Sequence, residues 1–410
     1  MSSNISITNS GSGAQNVAAG NGSQYNNNGN GSQFNNSTIH GFSLQGQRND
    51  KVGIPMPSHG QPSRREGFEI AIICALPLEY DAVSLLFDQF WDEEEEQYGR
   101  APGDTNTYTM GRIGKYDVVL ALLPNMGTAA AAGAAAGVRS SFPRLKLAFL
   151  VGVCGGVPGT GPNEVLLGDV IISKTIQHGL GKQYPGAFVT KDTVDDNLGR
   201  PVKEIRSLVA SFETEMGRQR LQEKAGVYLN QLQSAAVRQR RRCDYQYPGV
   251  AEDKLFAATY QHRHRAPRPC SICSAESDGF CEGAAGASCA ELRCDENQLV
   301  PRGRLETKQN QAPDDMQCPE VHIGRIASGD TVMKSGEHRD RVAAQHNVIA
   351  FEMEGAGAWD EVPCIVIKGV CDYADSHKNK KWQPYAAATA ATVMRAVLGR
   401  YAPTDRLNVD

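Results

Sequence analysis

The stretch Cys364-Ile365-Val366-Ile367-Lys368-Gly369-Val370-Cys371-Asp372 constrains this chain more than any other. Ile365 to Val370 is too short and too β-branched for a helix, and it reads as a buried strand. The apolar run stops at Asp372, and open α/β sheets place their ligands at the C-terminal ends of their strands. Just upstream, Phe351-Glu352-Met353-Glu354-Gly355-Ala356-Gly357-Ala358 sets two carboxylates around a methionine and then passes into small residues. The expectation is that Glu354 and Asp372 face one pocket.

Other segments repeat the pattern of strand, turn and helix. Glu69 to Ala75 is a second buried strand, and Leu76-Pro77-Leu78-Glu79 enters a helix continuing through Leu86, with proline suited to a first turn. Glu79 therefore stands just past a strand end, as Asp372 does, although an acid in a first helical turn is also favoured by the dipole alone. Thr107 to Arg112 and Tyr116 to Leu123 predict a hairpin, and an alanine-rich helix follows through Gly137. Lys146 to Val151 predicts a strand that runs into a glycine turn, Gly152-Val153-Cys154-Gly155-Gly156, where backbone amides can approach a ligand. The spacing is not that of a dinucleotide fingerprint. Strands at 168–173 and 322–326, an amphipathic helix over 202–232 and a closing helix over 382–401 complete an α/β pattern, a single mixed sheet flanked by helices.

Two regions stand outside it. Residues 1–66 are Gly, Asn, Ser and Gln with few large apolar groups, too little to offset chain entropy as a monomeric globule. Within them Gly11-Ser-Gly-Ala-Gln15-Asn16, Gly20-Asn-Gly-Ser-Gln24-Tyr25 and Gly29-Asn-Gly-Ser-Gln33-Phe34 recur every nine residues, a period suited to stacked β-turns with Gln and Asn ladders; a flexible polar tail is the alternative. This gives repeats over 1–40, a proline-bearing linker over 41–66, an α/β domain over 67–402 and a tail over 403–410. The second outlier is a polar insert at about 243–318, holding Cys270, Cys273, Cys281, Cys289 and Cys294 with His262 and His264 upstream. One C-x2-C pair is a reasonable zinc half-site, so Cys270, Cys273, Cys289 and Cys294 form a possible zinc set, while free thiols in a mobile insert are the favoured reading. No cofactor is otherwise expected.

A formal net charge of −4 gives no support for nucleic acid as the main partner. A polar N-terminus without an apolar core, and no run of about 18 apolar residues, argue against export and membrane insertion. With two cysteines in core segments, Cys74 and Cys154, the expected setting is the reducing cytoplasm.

Glu79, Glu354 and Asp372 come from separated strand ends, and three carboxylates are what cleavage of a sugar–base bond requires. One protonates the leaving base, a second activates water on the opposite face, and a third accepts hydrogen bonds from the ribose diol. On residue types alone, three ordinary cap or surface acids are the favoured reading. The strand with its Gly-Gly segment at 149–156, Ser328-Gly329-Asp330, Phe351-Glu352-Met353-Glu354 and Cys371-Asp372-x-Ala374-Asp375 together resemble the purine nucleoside phosphorylase and nucleosidase superfamily, over roughly 68–180 and 320–400. The resemblance implies that Asp372 protonates purine N7 and Glu79 activates water. It places Glu354 and Met353 on the ribose and Phe351, Val332, Met333, Gly155 and Gly156 around the substrate. Lys368 falls where the family carries an arginine near the sugar. Cys371 stands in place of a supporting serine, and Val332 in place of an aromatic.

The phosphorylases carry an arginine-bearing phosphate loop after the first strand. Cys74 to Glu79 has no arginine there, so hydrolysis is expected over phosphorolysis. The chain is most similar to fungal members associated with NOD-like receptors, and its N-terminal repeat resembles amyloid-signalling motifs of effectors that such receptors control. That implies an immunity or cell-death effector acting on adenine nucleotides such as ATP, as a homo-oligomer with a receptor partner. His377, Lys378, Lys380 and Lys381, with the arginine run at 238–242, are the phosphate candidates. The alternatives are a phosphate-dependent phosphorylase and a nucleotide-binding module without turnover.

Overall fold

The computed structural model describes residues 60–402 apart from 92–97, 179–180, 185–186, 191–200, 266–269, 275–278 and 379. It also gives the backbone of three short strands near the N-terminus, and the backbone alone at 162, 181–184, 187–190 and 313–314. By contacts the chain forms two units, Met1–His59 and Gly60–Asp410. In the first, Thr8–Ser10, Ala14–Ala19 and Ser23–Asn27 pair antiparallel, with Ala18 opposite Gln24 and Gln15 opposite Asn27. The backbones of the first two repeats thus pair antiparallel. The third repeat and the linker up to residue 59 lie outside the described residues, as does the tail at 403–410, while Gly60 to Glu66, given above to the linker, belong to the second unit.

The second unit is built on a nine-stranded mixed sheet. In chain order its strands are β1 (Ile70–Cys74), β2 (Gln89–Phe90), β3 (Tyr108–Ile113), β4 (Tyr116–Leu122), β5 (Leu147–Gly156), β6 (Val170–His178), β7 (Val321–Ser328), β8 (Val348–Glu352) and β9 (Cys364–Asp372). Across the sheet they run β8-β7-β6-β9-β5-β1-β4-β3-β2. The strands β9, β5, β1 and β4 are mutually parallel, so their C-terminal ends share one edge. The sheet is not simply open. Residues Ala350 and Phe351 of β8 pair back onto Gly156 and Gly155 of β5, closing β5-β9-β6-β7-β8 into a ring. That closure brings the end of β8, which leads to Glu354, beside the ends of β5 and β9.

The central strands are continuous apolar runs because both faces are covered. Every residue of β9 from Cys364 to Cys371 is buried, and so is every residue of β1. On one face lies α7 (Gln383–Arg400), whose alanines at 386–388, 390 and 391 are at most 1% exposed and let the helix approach β9 and β5 closely. It also packs on α1 (Pro77–Ser84) and α4 (Glu215–Arg238). The alanine-rich α2 (Thr128–Ser141) packs against the short α6 (Gly355–Trp359), and α5 (Gly336–His346) precedes β8.

Two expectations change. The amphipathic stretch from 202 is not one helix: it breaks between α3 (Lys203–Phe212) and α4, where Thr214 becomes an N-cap and accepts a hydrogen bond from Gly217 N at 3.1 Å. The glycine segment 152–156 is not a turn but the last part of β5. Parallel pairing to β9 satisfies its amides through Cys154, so the strand continues past the apolar run.

Candidate active site

The C-terminal edge of the sheet supports a cavity of about 470 Å³. Glu79, Glu354 and Asp372 all line it, together with Met126, Met333 and Phe351. Each acid arrives from a different strand end: Glu79 from the first turn after β1, Glu354 two residues beyond β8, and Asp372 as the last residue of β9.

Glu79 is 2% exposed. Its Oε2 accepts from Ala75 N and Leu76 N, both at 2.9 Å, and its Oε1 from Val153 N at 2.8 Å. The first two bonds are the capping geometry of α1, so the dipole reading of this acid is correct as far as it goes. The third bond reaches across to β5 and is not a capping contact. Gly152 makes room for it, since a Cβ there would lie 2.6 Å from the Glu79 carboxyl carbon. Burial raises the Glu79 pKa above the ordinary carboxylate value, with Lys368 and the backbone donors opposing that rise. A buried carboxylate with raised pKa is a stronger base than one in water.

Behind the cavity sits a buried charge cluster. Lys368, 2% exposed, donates from Nζ to Glu354 Oε2 at 2.7 Å and lies 3.5 Å from Glu352 Oε2. Burial works against its charge, yet Glu354, Glu352 and Glu79 together hold its pKa above the usual lysine value. Lys368 does not line the cavity; it fixes Glu354 from behind. Glu352 in turn accepts from Glu354 N and Gly355 N at 2.9–3.0 Å, setting the turn into α6. Burial raises the Glu352 pKa.

Asp372 Oδ1 accepts from Ala374 N at 2.8 Å and lies 3.1 Å from Lys378 Nζ. Among the described residues its Oδ2 meets only the Cys371 thiol, at 3.4 Å. Burial pushes the Cys371 thiol far up, with Asp372 adding to the rise, so it remains a neutral, weak donor. As at Gly152, the strand leaves space: a Cβ on Gly155 would come within 2.9 Å of Asp372 Oδ1. The two glycines thus accommodate the two acids on either side of β5.

The other expected residues divide. Met353, Val332, Gly155 and Lys378 line the cavity. Val332 remains 48% exposed, so as it stands it offers a base little cover. Gly156 does not line the cavity; a Cβ there would collide with Val370 and Val165, so its absence serves strand packing. His377 turns away into the insert, with Nδ1 among His262, Cys289 and Cys294. Lys381 pairs outward with Glu252 at 2.8 Å. In the arginine run, Arg241 contacts Asp81 and Ser84 on α1, and none of the four arginines lines the cavity. The cysteines Cys270, Cys273, Cys289 and Cys294 do not form one set: the first two gather with His264 and Cys281, the last two with His262 and His377.

Sequence reasoning gave Cys154 no site role and missed Lys334, Met126 and Ala285 in the cavity wall, while Lys380 does line it. Lys334 directly follows the expected Val332 and Met333, which is a usable signal. Ala285 belongs to the insert, and nothing in its neighbourhood marks it.

A second cavity of about 420 Å³ shares Lys334 and Lys378 with the first and continues past Ser335, Ser376, Gln261 and Arg263. The combined recess can hold a small molecule with an anionic extension.

Comparison with known proteins bears on this site. A nucleotide-binding leucine-rich repeat (NLR)-like protein of Hyaloscypha variabilis is 31% identical over 340 residues, covering 81% of this chain and 29% of the relative. The chain thus spans under a third of that protein's length. Among solved structures, futalosine hydrolase of Helicobacter pylori aligns over 82% of this chain and 98% of its own, with 14% identity and a TM-score of 0.46. A 5'-methylthioadenosine/S-adenosylhomocysteine nucleosidase from Colwellia psychrerythraea, bound to adenine, covers 82% and 96% with 15% identity and a TM-score of 0.47. The family model described as the phosphorylase superfamily matches residues 69–399, from the start of β1 to the end of α7, and the chain belongs to that superfamily.

Proposed function

We propose that the protein hydrolyses the bond between a purine base and ribose, with adenine nucleotides such as ATP as its substrates. The observation that carries the reading is the convergence of Glu79, Glu354 and Asp372 on one cavity from three strand ends. Asp372 gives a proton to the base nitrogen from Oδ2, the oxygen whose only partner among the described residues is a thiol, which makes the base a neutral leaving group. Glu79, ionised and buried, takes a proton from water on the other side of the sugar. Glu354, held by Lys368, accepts from the ribose hydroxyls and steadies the positive charge growing on the ring. Phe351 and Met333 supply apolar contact for the base.

Water is favoured over phosphate as nucleophile because no arginine lines the acid cavity among the described residues, and the charge beside the attack position is Glu79 itself. A phosphate dianion there would meet a carboxylate. Lys334, Lys378 and Lys380 at the rim, with Arg263 in the adjoining recess, support a phosphorylated 5′ group. The receptor-type name of the longer Hyaloscypha relative supports a place for this domain as an effector in fungal immunity or cell death, partnered by such a receptor.

The test is to mix purified protein with ATP, AMP and adenosine, with and without phosphate, and follow free adenine. Adenine released from ATP without phosphate is the expected result. Release from adenosine alone would remove the nucleotide part of the proposal, and strictly phosphate-dependent ribose 1-phosphate would replace hydrolysis by phosphorolysis. Tight binding without turnover by any of the three would make the chain a sensing module.

A further inference from the structure

The insert, with His377 from the segment after β9, supplies two groups of four metal-ligating side chains, His264/Cys270/Cys273/Cys281 and His262/Cys289/Cys294/His377. Within each, one ligand atom per residue lies within 4.8 Å of all the others. We propose that these are two structural zinc sites, and that the second fastens the insert to the loop that follows Asp372.

The spacings fit tetrahedral coordination. With Zn–S of about 2.3 Å and Zn–N of about 2.05 Å, tetrahedral angles require about 3.8 Å between sulfurs, about 3.55 Å between sulfur and nitrogen, and about 3.35 Å between nitrogens. In the first group the Cys270 and Cys281 sulfurs are 3.8 Å apart, and His264 Nδ1 is 3.5 Å from Cys273 and 3.6 Å from Cys281. In the second, the two Nδ1 atoms are 3.2 Å apart, and their four distances to the sulfurs run from 3.4 to 3.8 Å.

The second group carries a stronger argument, from proton placement. His262 Nε2 lies 2.9 Å from Ala287 O and His377 Nε2 lies 2.9 Å from Tyr260 O. A carbonyl oxygen only accepts, so both Nε2 atoms must be N–H groups. In neutral rings both Nδ1 atoms then carry lone pairs, and these face each other at 3.2 Å, with no proton between them. A cation at the centre of the four atoms resolves the conflict. A ring nitrogen ligating metal while its other nitrogen donates to a carbonyl is the usual outer arrangement of a histidine ligand. On binding, the cysteine thiols release their protons to solvent and coordinate as thiolates.

The consequence reaches the acid cavity because His377 is not part of the insert. It lies five residues after Asp372, next to Lys378, whose ammonium is 3.1 Å from Asp372. The same junction is strengthened where His262 N donates to Ser376 Oγ at 3.1 Å and Phe256 stacks on the His377 ring at 4.1 Å. Two ligands from 289–294, one from 262 and one from 377 therefore draw the insert, including Ala285 in the cavity wall, onto the loop after β9. The first group uses ligands from 264 to 281 alone and organises the insert internally.

Metal analysis of the purified full chain tests the assignment directly, and two zinc ions per chain are expected. Cys270→Ser with Cys273→Ser loses one, and Cys289→Ser with Cys294→Ser loses the other. Cobalt substitution gives tetrahedral spectra in both variants, with stronger sulfur charge transfer where three thiolates remain. Amide exchange across 373–381 rises about tenfold or more in the Cys289/Cys294 variant and stays at the wild-type level in the Cys270/Cys273 variant. Chain free of zinc, with these cysteines reacting as free thiols or found by mass as disulfides, would overturn the sites. Zinc at both sites with equal exchange in the two variants would overturn the fastening role.

Discussion

Two buried charge networks lie in this domain, and they are built to opposite ends. One gathers Asp169, Glu164 and Asp253 with Arg302 and Arg304 from the insert. Asp169 is fully buried, takes Arg304 through both oxygens, and also accepts from Leu166 N and Glu320 N. Burial would raise its pKa, but Arg304 and then His322 hold it far below the usual range. Arg302 bonds Glu164 and the Tyr373 hydroxyl at 2.9 Å, and that hydroxyl donates to Asp253 at 2.6 Å. None of these charged groups lines either cavity. The other network has Glu79, Glu352 and Glu354 around a single buried cation, Lys368, with Glu79 raised in pKa and open to a cavity. The first network sets two arginines against three acids in closed geometry, which holds a structure in place. The second has excess carboxylate facing a recess, which retains basicity that chemistry can use.

Substitutions should separate the two. The largest effect expected is on turnover from Asp372→Asn, which keeps the shape but cannot supply a proton, lowering kcat by about 10³-fold or more with melting temperature nearly unchanged. Equal kcat in that variant would make the cavity a binding site. Glu79→Gln should lower kcat by about 10²–10⁴-fold. Glu79 acts ionised, so wild-type kcat/KM should fall as pH drops through its raised pKa, at a midpoint above the ordinary glutamate value. The variant's residual activity should lack that limb.

Arg304→Met should do the reverse. Removing one partner of a buried pair costs about 3–5 kcal/mol, read by denaturant unfolding, while kcat in the folded fraction stays within a few-fold. The sign with pH also differs. Asp169 has a lowered folded pKa, so its stabilisation is present above the ordinary aspartate value and is lost only as pH falls through that lowered value. The smallest effect belongs to Cys371→Ser. A hydroxyl donates more strongly than a thiol to Asp372 Oδ2, and kcat should change by about tenfold or less with the fold intact. A loss as large as that of Asp372→Asn would mean that Cys371 does more than donate to Asp372.

Much of the acid cavity was legible because its acids follow marked strands. Glu354 and Asp372 sit at the ends of apolar runs whose length and β-branching mark them as strands, and strand ends define the site in such sheets. Glu79 was ambiguous in sequence because its capping role and its site role use the same position, and only the bond to Val153 N on β5 distinguishes them. The glycines at 152–156 were misread as a turn since a glycine run signals backbone freedom; here two of them signal the space two carboxylates need. Lys368 was placed near the sugar by resemblance, yet its contact is with Glu354 from behind. The first network was not legible at all: Arg302 and Arg304 reach Glu164 and Asp169 over more than 130 residues, and no periodicity carries that pairing. The same holds for His377, which reads as a basic residue beside lysines until the fold brings it to His262, Cys289 and Cys294.

The central claim is that the acid cavity delivers water, not phosphate, to the sugar of a purine nucleotide. Turnover of ATP in ¹⁸O-enriched water containing ordinary phosphate, followed by mass spectrometry of the sugar product under conditions that limit anomeric exchange, tests it most directly. Free adenine and one ¹⁸O at the anomeric hydroxyl of ribose triphosphate are expected. A 1-phosphorylated sugar without label would contradict it.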